Sequence, residues 1–248
     1  IVADIGVPAG LAEAVKVEVA TPDMARAWLP QRSKQAHKGT YGKAMVVAGS
    51  TNYTGAAYLA GAAATRVGAG LVTLAVAEPL HTPLAAALHE TTWLLLPHDL
   101  GVLAPGAAEL LRKRLPEYDA LLLGCGLGSE KSTAEFLEAL LVMRAKTTGP
   151  RIGFTARREE KNGEAVQPEP APFPPLVLDA DGLNLLARLS DWPKRLPTST
   201  ILTPHPGEMA RLCGCETKDV EGDRLNIARR KSEEWGHIVV LKGAHTIC

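Results

Sequence analysis

Aromatic residues make up only 4% of this 248-residue chain. That is too few to build a stacking platform for single-stranded nucleic acid. Dense basic patches are also missing, and 27 Lys and Arg residues balance 27 Asp and Glu residues. The balance excludes the electrostatic footprint of a polyanion-binding protein. No apolar run is long enough to span a bilayer. The opening IVADIGVPAG carries Asp4 and no basic leader, so it does not read as a signal peptide. There are four cysteines, Cys125, Cys213, Cys215 and Cys248, and no CxxC pair. Cys213 and Cys215 stand too close together for an ordinary disulfide, so the cysteine usage reads as a reducing, cytoplasmic setting. Internal repeats are not evident.

Hydrophobic residues, by contrast, reach 46%. The length fits one large α/β domain or two small ones, with enough chain to bury a core. Short apolar runs read as strands: Ala44–Gly49, Leu71–Val76, Trp93–Pro97, Ala120–Gly124, Leu176–Ala180, Thr200–Thr203 and Ile238–Gly243. Their unbroken hydrophobicity is that of strands covered on both faces, as in a parallel sheet. Helical spacing fills the intervals Ala56–Val67, Ala107–Leu115, Thr133–Arg144 and Glu221–Trp235. The charges of the last helix read as a solvated face. This alternation predicts a three-layer α/β fold with right-handed crossovers and a ligand site at the carboxyl ends of the strands. Residues 1–21 read as a lead-in and 22–248 as the domain, with a weak compositional boundary at Gln31–Gln35. The polar, proline-rich stretch Phe154–Pro175 reads as a surface excursion.

Five motifs fall at the ends of these strands. GSTNYTGAA follows a strand and opens a helix, so Gly49 and Gly55 permit close backbone approach and the free N–H groups suit an anion. The alternative is an ordinary tight turn; the motif is not a P-loop, because no GK[ST] follows. GCGLGS, Gly124–Ser129, is a second glycine-rich turn and weak evidence alone. LDADGLN places Asp179 and Asp181 just past a strand, which suits a metal, a phosphate–metal pair, or capping of the next helix. TPHPGEMARL fixes His205 between two prolines, and Glu208 opens a helix. A buried histidine in so rigid a loop needs a partner, either a ligand or a core contact. KGAHT, Lys242–Thr246, offers a cation and a glycine where phosphate charge can be neutralised.

Together HKGTYGK, AGSTNYTGAA, GCGLG, LDADGLN, LTPHPGEMARL and LKGAHT resemble, in order, the ADP/ATP-dependent NAD(P)H-hydrate dehydratases. The resemblance runs from about Pro22 to the end, and the combination is specific although each piece is not. It implies a ribokinase-like fold that continues past Cys248, and IVADIGVP resembles a junction after a fused NAD(P)H-hydrate epimerase domain. The activity it implies is repair of hydrated NADH or NADPH. A nucleotide, ADP or ATP with Mg²⁺, phosphorylates the ring hydroxyl, and loss of phosphate restores the double bond. By similarity Ala56, Ala57, Gly126, Gly128 and His205 contact the hydrated dinucleotide. Lys242, Gly243, Ala244, His245 and Thr246 bind the adenine nucleotide, and Asp179 and Asn184 lie near the phosphate and Mg²⁺. No directly ligated metal is assigned. His37–Gly42 and Gly49–Ala57 are expected to form two walls of the dinucleotide site. The resemblance further implies small-molecule substrates, a homo-oligomer of tetrameric type, and no nucleic-acid or membrane partner.

The sequence departs from the family at Cys125, where proline is usual, and at Phe154–Pro175. The family's GTGD motif, with its proposed base, is expected after KGAHT and is not in these 248 residues, so the catalytic base stays unassigned. A related small-molecule kinase and a non-catalytic nucleotide-binding module are the alternative readings.

Overall fold

The computed structural model describes residue 10 and residues 16–141, 173–198 and 200–248. It divides into two compact units, Ile1–Ala36 and His37–Cys248. In the first, α1 (Pro22–Trp28) begins where the Thr21 hydroxyl accepts the Met24 N–H, with proline in the first turn. It buries none of its residues.

The second unit begins with β1 (Lys43–Val47), α2 (Thr54–Arg66), β2 (Leu71–Ala77), α3 (His81–Ala85) and β3 (Thr92–Leu96). The hairpin strands β4 (His98–Asp99) and β5 (Val102–Leu103), then α4 (Ala107–Arg114), β6 (Ala120–Leu123) and α5 (Lys131–Leu141) follow. Beyond residue 172 come β7 (Leu176–Leu178), α6 (Asp181–Leu186), α7 (Trp192–Arg195), β8 (Ile201–Leu202), α8 (Pro206–Cys213), α9 (Thr217–Gly222), α10 (Arg224–Trp235) and β9 (Ile238–Val239). Seven strands form one sheet in the order β3-β2-β1-β6-β7-β8-β9, and every neighbouring pair is parallel. β4 and β5 pair separately and antiparallel.

Why these runs became a parallel sheet is visible in their burial. Val72–Ala77 is buried without a gap, as expected where helices cover both faces. Met45, Val47, Leu74, Leu121, Leu123 and Leu178 are wholly inaccessible, and Phe136 and Leu140 of α5 belong to the same buried cluster. Each such side chain contributes about 1.5–3 kcal/mol relative to exposure. All seven expected strands form, most of them shorter than the apolar runs.

Two points differ from the sequence reading. The hairpin β4–β5 was not anticipated; it turns through Leu100 and Gly101, both at positive φ. The expected helix Glu221–Trp235 breaks at Asp223, φ −148° and ψ 56°. Gly222 is a poor helix former, and the Asp223 carboxylate instead accepts the Asn226 amide at 2.9 Å. The expected excursion Phe154–Pro175, apart from Phe173–Pro175, and the end of the expected helix Thr133–Arg144 past Leu141 lie outside the described residues. Among the described residues no helix is long and apolar enough to cross a membrane.

Candidate functional site

Because the strands are parallel, the loops after β1, β6, β7, β8 and β9 all emerge at one edge of the sheet. The first two are laced together. The Gly49 N–H donates to the Cys125 carbonyl at 2.8 Å. Gly126 has φ +66°, and a Cβ there would stand 2.5 Å from the Ala56 methyl and 2.9 Å from Tyr53 Cβ. Only glycine permits both the conformation and the approach. Ala56 therefore lines the junction, whereas the Ala57 side chain is fully buried in the core.

After β7 the chain turns sharply at Ala180, φ 53° and ψ −120°, a strained conformation for a residue with a side chain. The turn sends the two carboxylates apart. Asp179 Oδ1 accepts the Ala180 N–H at 2.8 Å and meets Lys242 Nζ at 2.5 Å. Asp181 Oδ2 accepts the Gly128 N–H at 3.0 Å. Capping was one reading of Asp181, but Ala180 is the N-cap of α6 and Asp181 ties down the glycine turn instead. Asn184, one turn on, accepts from Arg211 Nη1 at 2.9 Å. It lines an open depression of about 510 Å³ with Ser129, Asp181, Arg188 and Arg211, apart from the Asp179–Lys242 pair.

After β8, His205 is the N-cap of α8, with Pro206 at the first helical position. Its Nδ1 accepts the N–H groups of Gly207 at 3.0 Å and Glu208 at 3.4 Å. An accepting Nδ1 carries no proton, so this pattern assigns the ring proton to Nε2. The expected burial is corrected: the His205 side chain is 51% exposed, and what satisfies it is the helix end rather than a core contact. Glu208 completes the capping box by accepting the His205 N–H at 2.8 Å. Its carboxylate is buried, and Oε2 lies 3.8 Å from Lys242 Nζ. Sequence reasoning missed this second role. The H-x-x-E spacing signals a cap, but no local pattern joins Glu208 to a lysine on another strand.

Past β9 the chain continues alongside the β8 segment, with Lys242 N–H donating to the Pro204 carbonyl at 2.8 Å. Leu241 and Ile247 pair antiparallel, which closes a tight turn over residues 242–246. Among the described residues the N–H groups of Gly243, Ala244 and His245 have no partner. The Lys242 ammonium sits between Asp179 and Glu208 at the root of this turn. Cys125 faces the same charges. Burial foremost, then the charge of Asp179, push its thiol up to about 11, partly offset by Lys242.

The structure thus brings Asp179, Glu208, His205 and Lys242 into one network and joins Ala56 to Gly126 and Gly128 to Asp181. It does not bring His37–Gly42 to the same place. That segment precedes β1 and its Tyr41 and Gly42 carbonyls accept from Gly70 and Leu71 at the start of β2. Lys43, next along, donates to Asp119 ahead of β6. His37–Gly42 and Gly49–Ala57 therefore lie at opposite ends of β1 and cannot be two walls of one site within the chain.

The model of the NAD(P)H-hydrate dehydratase family matches residues 44–147 and 152–248. The chain belongs to that family. It is 36% identical over 249 residues to the bifunctional NAD(P)H-hydrate repair enzyme Nnr of Moorella thermoacetica, covering 99% of this chain and 42% of that protein. With the Nnr of Escherichia coli it shares 32% identity, over 89% of this chain and 34% of the other. The chain thus spans less than half the length of these curated relatives. The crystal structure of an ADP/ATP-dependent NAD(P)H-hydrate dehydratase from Bacillus subtilis, co-crystallised with ATP/Mg²⁺, superposes with a TM-score of 0.67 at 27% identity. That match covers 94% of this chain and 69% of that one. A ribokinase-like superfamily protein from Enterococcus faecalis shares the fold, with a TM-score of 0.62 over 87% of this chain and 62% of that one, at 22% identity. Family membership favours the dehydratase over the small-molecule kinase and the non-catalytic module.

Proposed function

We propose that this chain carries out the nucleotide-dependent dehydration of hydrated NADH and NADPH. The observation that carries the reading is the Lys242 ammonium, held between Asp179 and Glu208 beside a turn of unpaired N–H donors. A cation, free backbone donors and a closed turn are what a phosphate chain requires. Residues Lys242–Thr246 are the nucleotide side. Ala56, Ala57, Gly126, Gly128 and His205 are the side of the hydrated dinucleotide, Ala57 through its backbone. His205 Nε2 lies 3.4 Å from Glu208 Oε1 on a half-exposed ring, so a substrate acceptor would compete with that carboxylate for its proton.

The chemistry asked of these residues is chiefly placement and charge neutralisation. The ring hydroxyl of the hydrated cofactor attacks the terminal phosphorus of ADP or ATP, its proton passing to solvent, and the shortened nucleotide leaves. The new C–O–phosphate bond then breaks with phosphate taking the electron pair, a ring proton is lost, and the double bond returns. Lys242 steadies the charge of the transferring group. The donor set fits Mg²⁺, which binds through one or two carboxylates and substrate phosphates rather than an all-protein cage. Asp179 would hold it, supplying neutralisation of phosphate charge, whereas Asn184 lies in a separate depression and is engaged by Arg211. Assembly as a homo-oligomer, a fused epimerase domain and a cytoplasmic setting belong to the same reading. The bifunctional names and greater length of the relatives support the fusion, and the free cysteines support the compartment.

The test is to supply the protein with hydrated NADH, ADP or ATP, and Mg²⁺. Near-ultraviolet absorbance of the reduced nicotinamide returns if the reading holds. No return with either nucleotide contradicts it.

A further inference from the structure

The first residue of α10, Arg224, lies directly beneath the Lys242–Thr246 turn. Its Nη2 donates to two successive carbonyls, Leu241 at 3.2 Å and Lys242 at 3.1 Å. Gly243 lies flat on the guanidinium: a Cβ there would stand 2.8 Å from Cζ and 3.0 Å from Nη1. Arg224 Nε is buried with no hydrogen-bond partner among the described residues, and no described carboxylate pairs with the guanidinium. A guanidinium does not deprotonate. Half-burying that charge without a counter-charge is costly.

We propose that Arg224 is a positioning residue for the anion-binding turn, and that the phosphates of a nucleoside di- or triphosphate supply its missing counter-charge. Two effects follow from the geometry. Donation to the Lys242 carbonyl polarises the Lys242–Gly243 peptide, whose N–H belongs to Gly243 and has no partner among the described residues. Chained hydrogen bonds strengthen one another, so that N–H becomes a better donor to phosphate. The same Nη2 holds both carbonyls towards the guanidinium, which fixes the peptide planes at the root of the turn. A lysine supplies the charge but not the planar group on which Gly243 rests. A side chain at Gly243 would push the guanidinium away from the turn.

The inference rests on the nucleotide reading of Lys242–Thr246, and the experiment separates the two. Wild type, Arg224→Gln and Arg224→Lys are titrated calorimetrically with ADP (or ATP where wild type binds no ADP), AMP and hydrated NADH, at two salt concentrations. Arg224→Gln is expected to weaken ADP about tenfold or more, the scale of one hydrogen bond to a charged group. AMP weakens less, hydrated NADH keeps its affinity, and the salt dependence of ADP binding becomes shallower. Arg224→Lys recovers part of the ADP affinity. If Arg224→Gln does not fold, Arg224→Lys decides by the same selective weakening of ADP. Equal loss for all three ligands, or no loss for ADP, overturns the inference. If wild type binds neither ADP nor ATP, the nucleotide reading itself falls.

Discussion

A histidine ring that accepts two backbone N–H groups at one nitrogen has a single proton left to offer, on the other. In His205 the two ends of the ring therefore have separable tasks. Nδ1 caps α8, and Nε2, 3.4 Å from Glu208 Oε1, holds the proton that a ligand would take. His205→Ala is expected to lose both, lowering stability by about 1 kcal/mol for the lost cap. It also weakens hydrated NADH more than ADP. His205→Asn keeps a cap and regains the stability without the binding. Urea unfolding and calorimetry read the two effects, and an Asn variant that binds as wild type removes the ligand role. The half-buried thiols make a second residue-scale case. Cys125 and Cys213 are both pushed from 9.0 up to about 11, each chiefly by burial. The folded state thus holds these protons more tightly than the unfolded chain. Their contribution to stability is complete below pH 9.0 and drains away as the pH climbs towards about 11. Melting temperature is expected to fall across that window, and to fall less steeply when both are replaced by Ala. Alkylation mapped by peptide mass should find the exposed Cys215 and Cys248 modified well before Cys125 and Cys213.

The elements show where sequence patterns stop being informative. Every strand of the main sheet was legible, because burial on both faces leaves an unbroken apolar run such as Val72–Ala77. The β4–β5 hairpin was not, since His98–Asp99 is polar and no apolar run marks it as a strand. Nor was the break at Asp223, where one side chain's preference for Asn226 outweighs a continuous amphipathic pattern. In the connections, glycine positions were read as freedom, whereas the structure shows which are obligatory. Gly126→Ala drives a methyl into Ala56 and Tyr53 at positive φ and is expected to cost about 1–3 kcal/mol. Gly55→Ala, with nothing within 4 Å and a helical backbone, should be neutral or stabilising by up to about 1 kcal/mol. Ala180 is the converse: Ala180→Gly relieves φ 53° and is expected to gain about 1 kcal/mol. Urea unfolding of the three variants checks the signs. A destabilised Ala180→Gly shows that the turn is not strained.

At the scale of the molecule, parallel strands put five connecting loops at one edge, and a site of several loops is possible without any being long. The ordered motifs made this edge recognisable from sequence, together with the dehydratase resemblance. The internal wiring was not recognisable. Lys242 meets Asp179 across 63 residues of sequence and Glu208 across the β8–β9 connection, pairings that only the sheet order creates. For the same reason His37–Gly42 looked like a partner of Gly49–Ala57, since adjacency in sequence hides that a strand separates them. The central claim is that this edge couples a nucleotide's phosphate to a hydrated nicotinamide ring. It is tested most directly by stoichiometry: hydrated NADH and ADP are supplied with Mg²⁺, and NADH, AMP and inorganic phosphate are quantified over time. The account predicts that the three appear in equimolar amounts and that none appears when either ligand is omitted. NADH returning without nucleotide consumption, or AMP and phosphate accumulating without NADH, contradicts it.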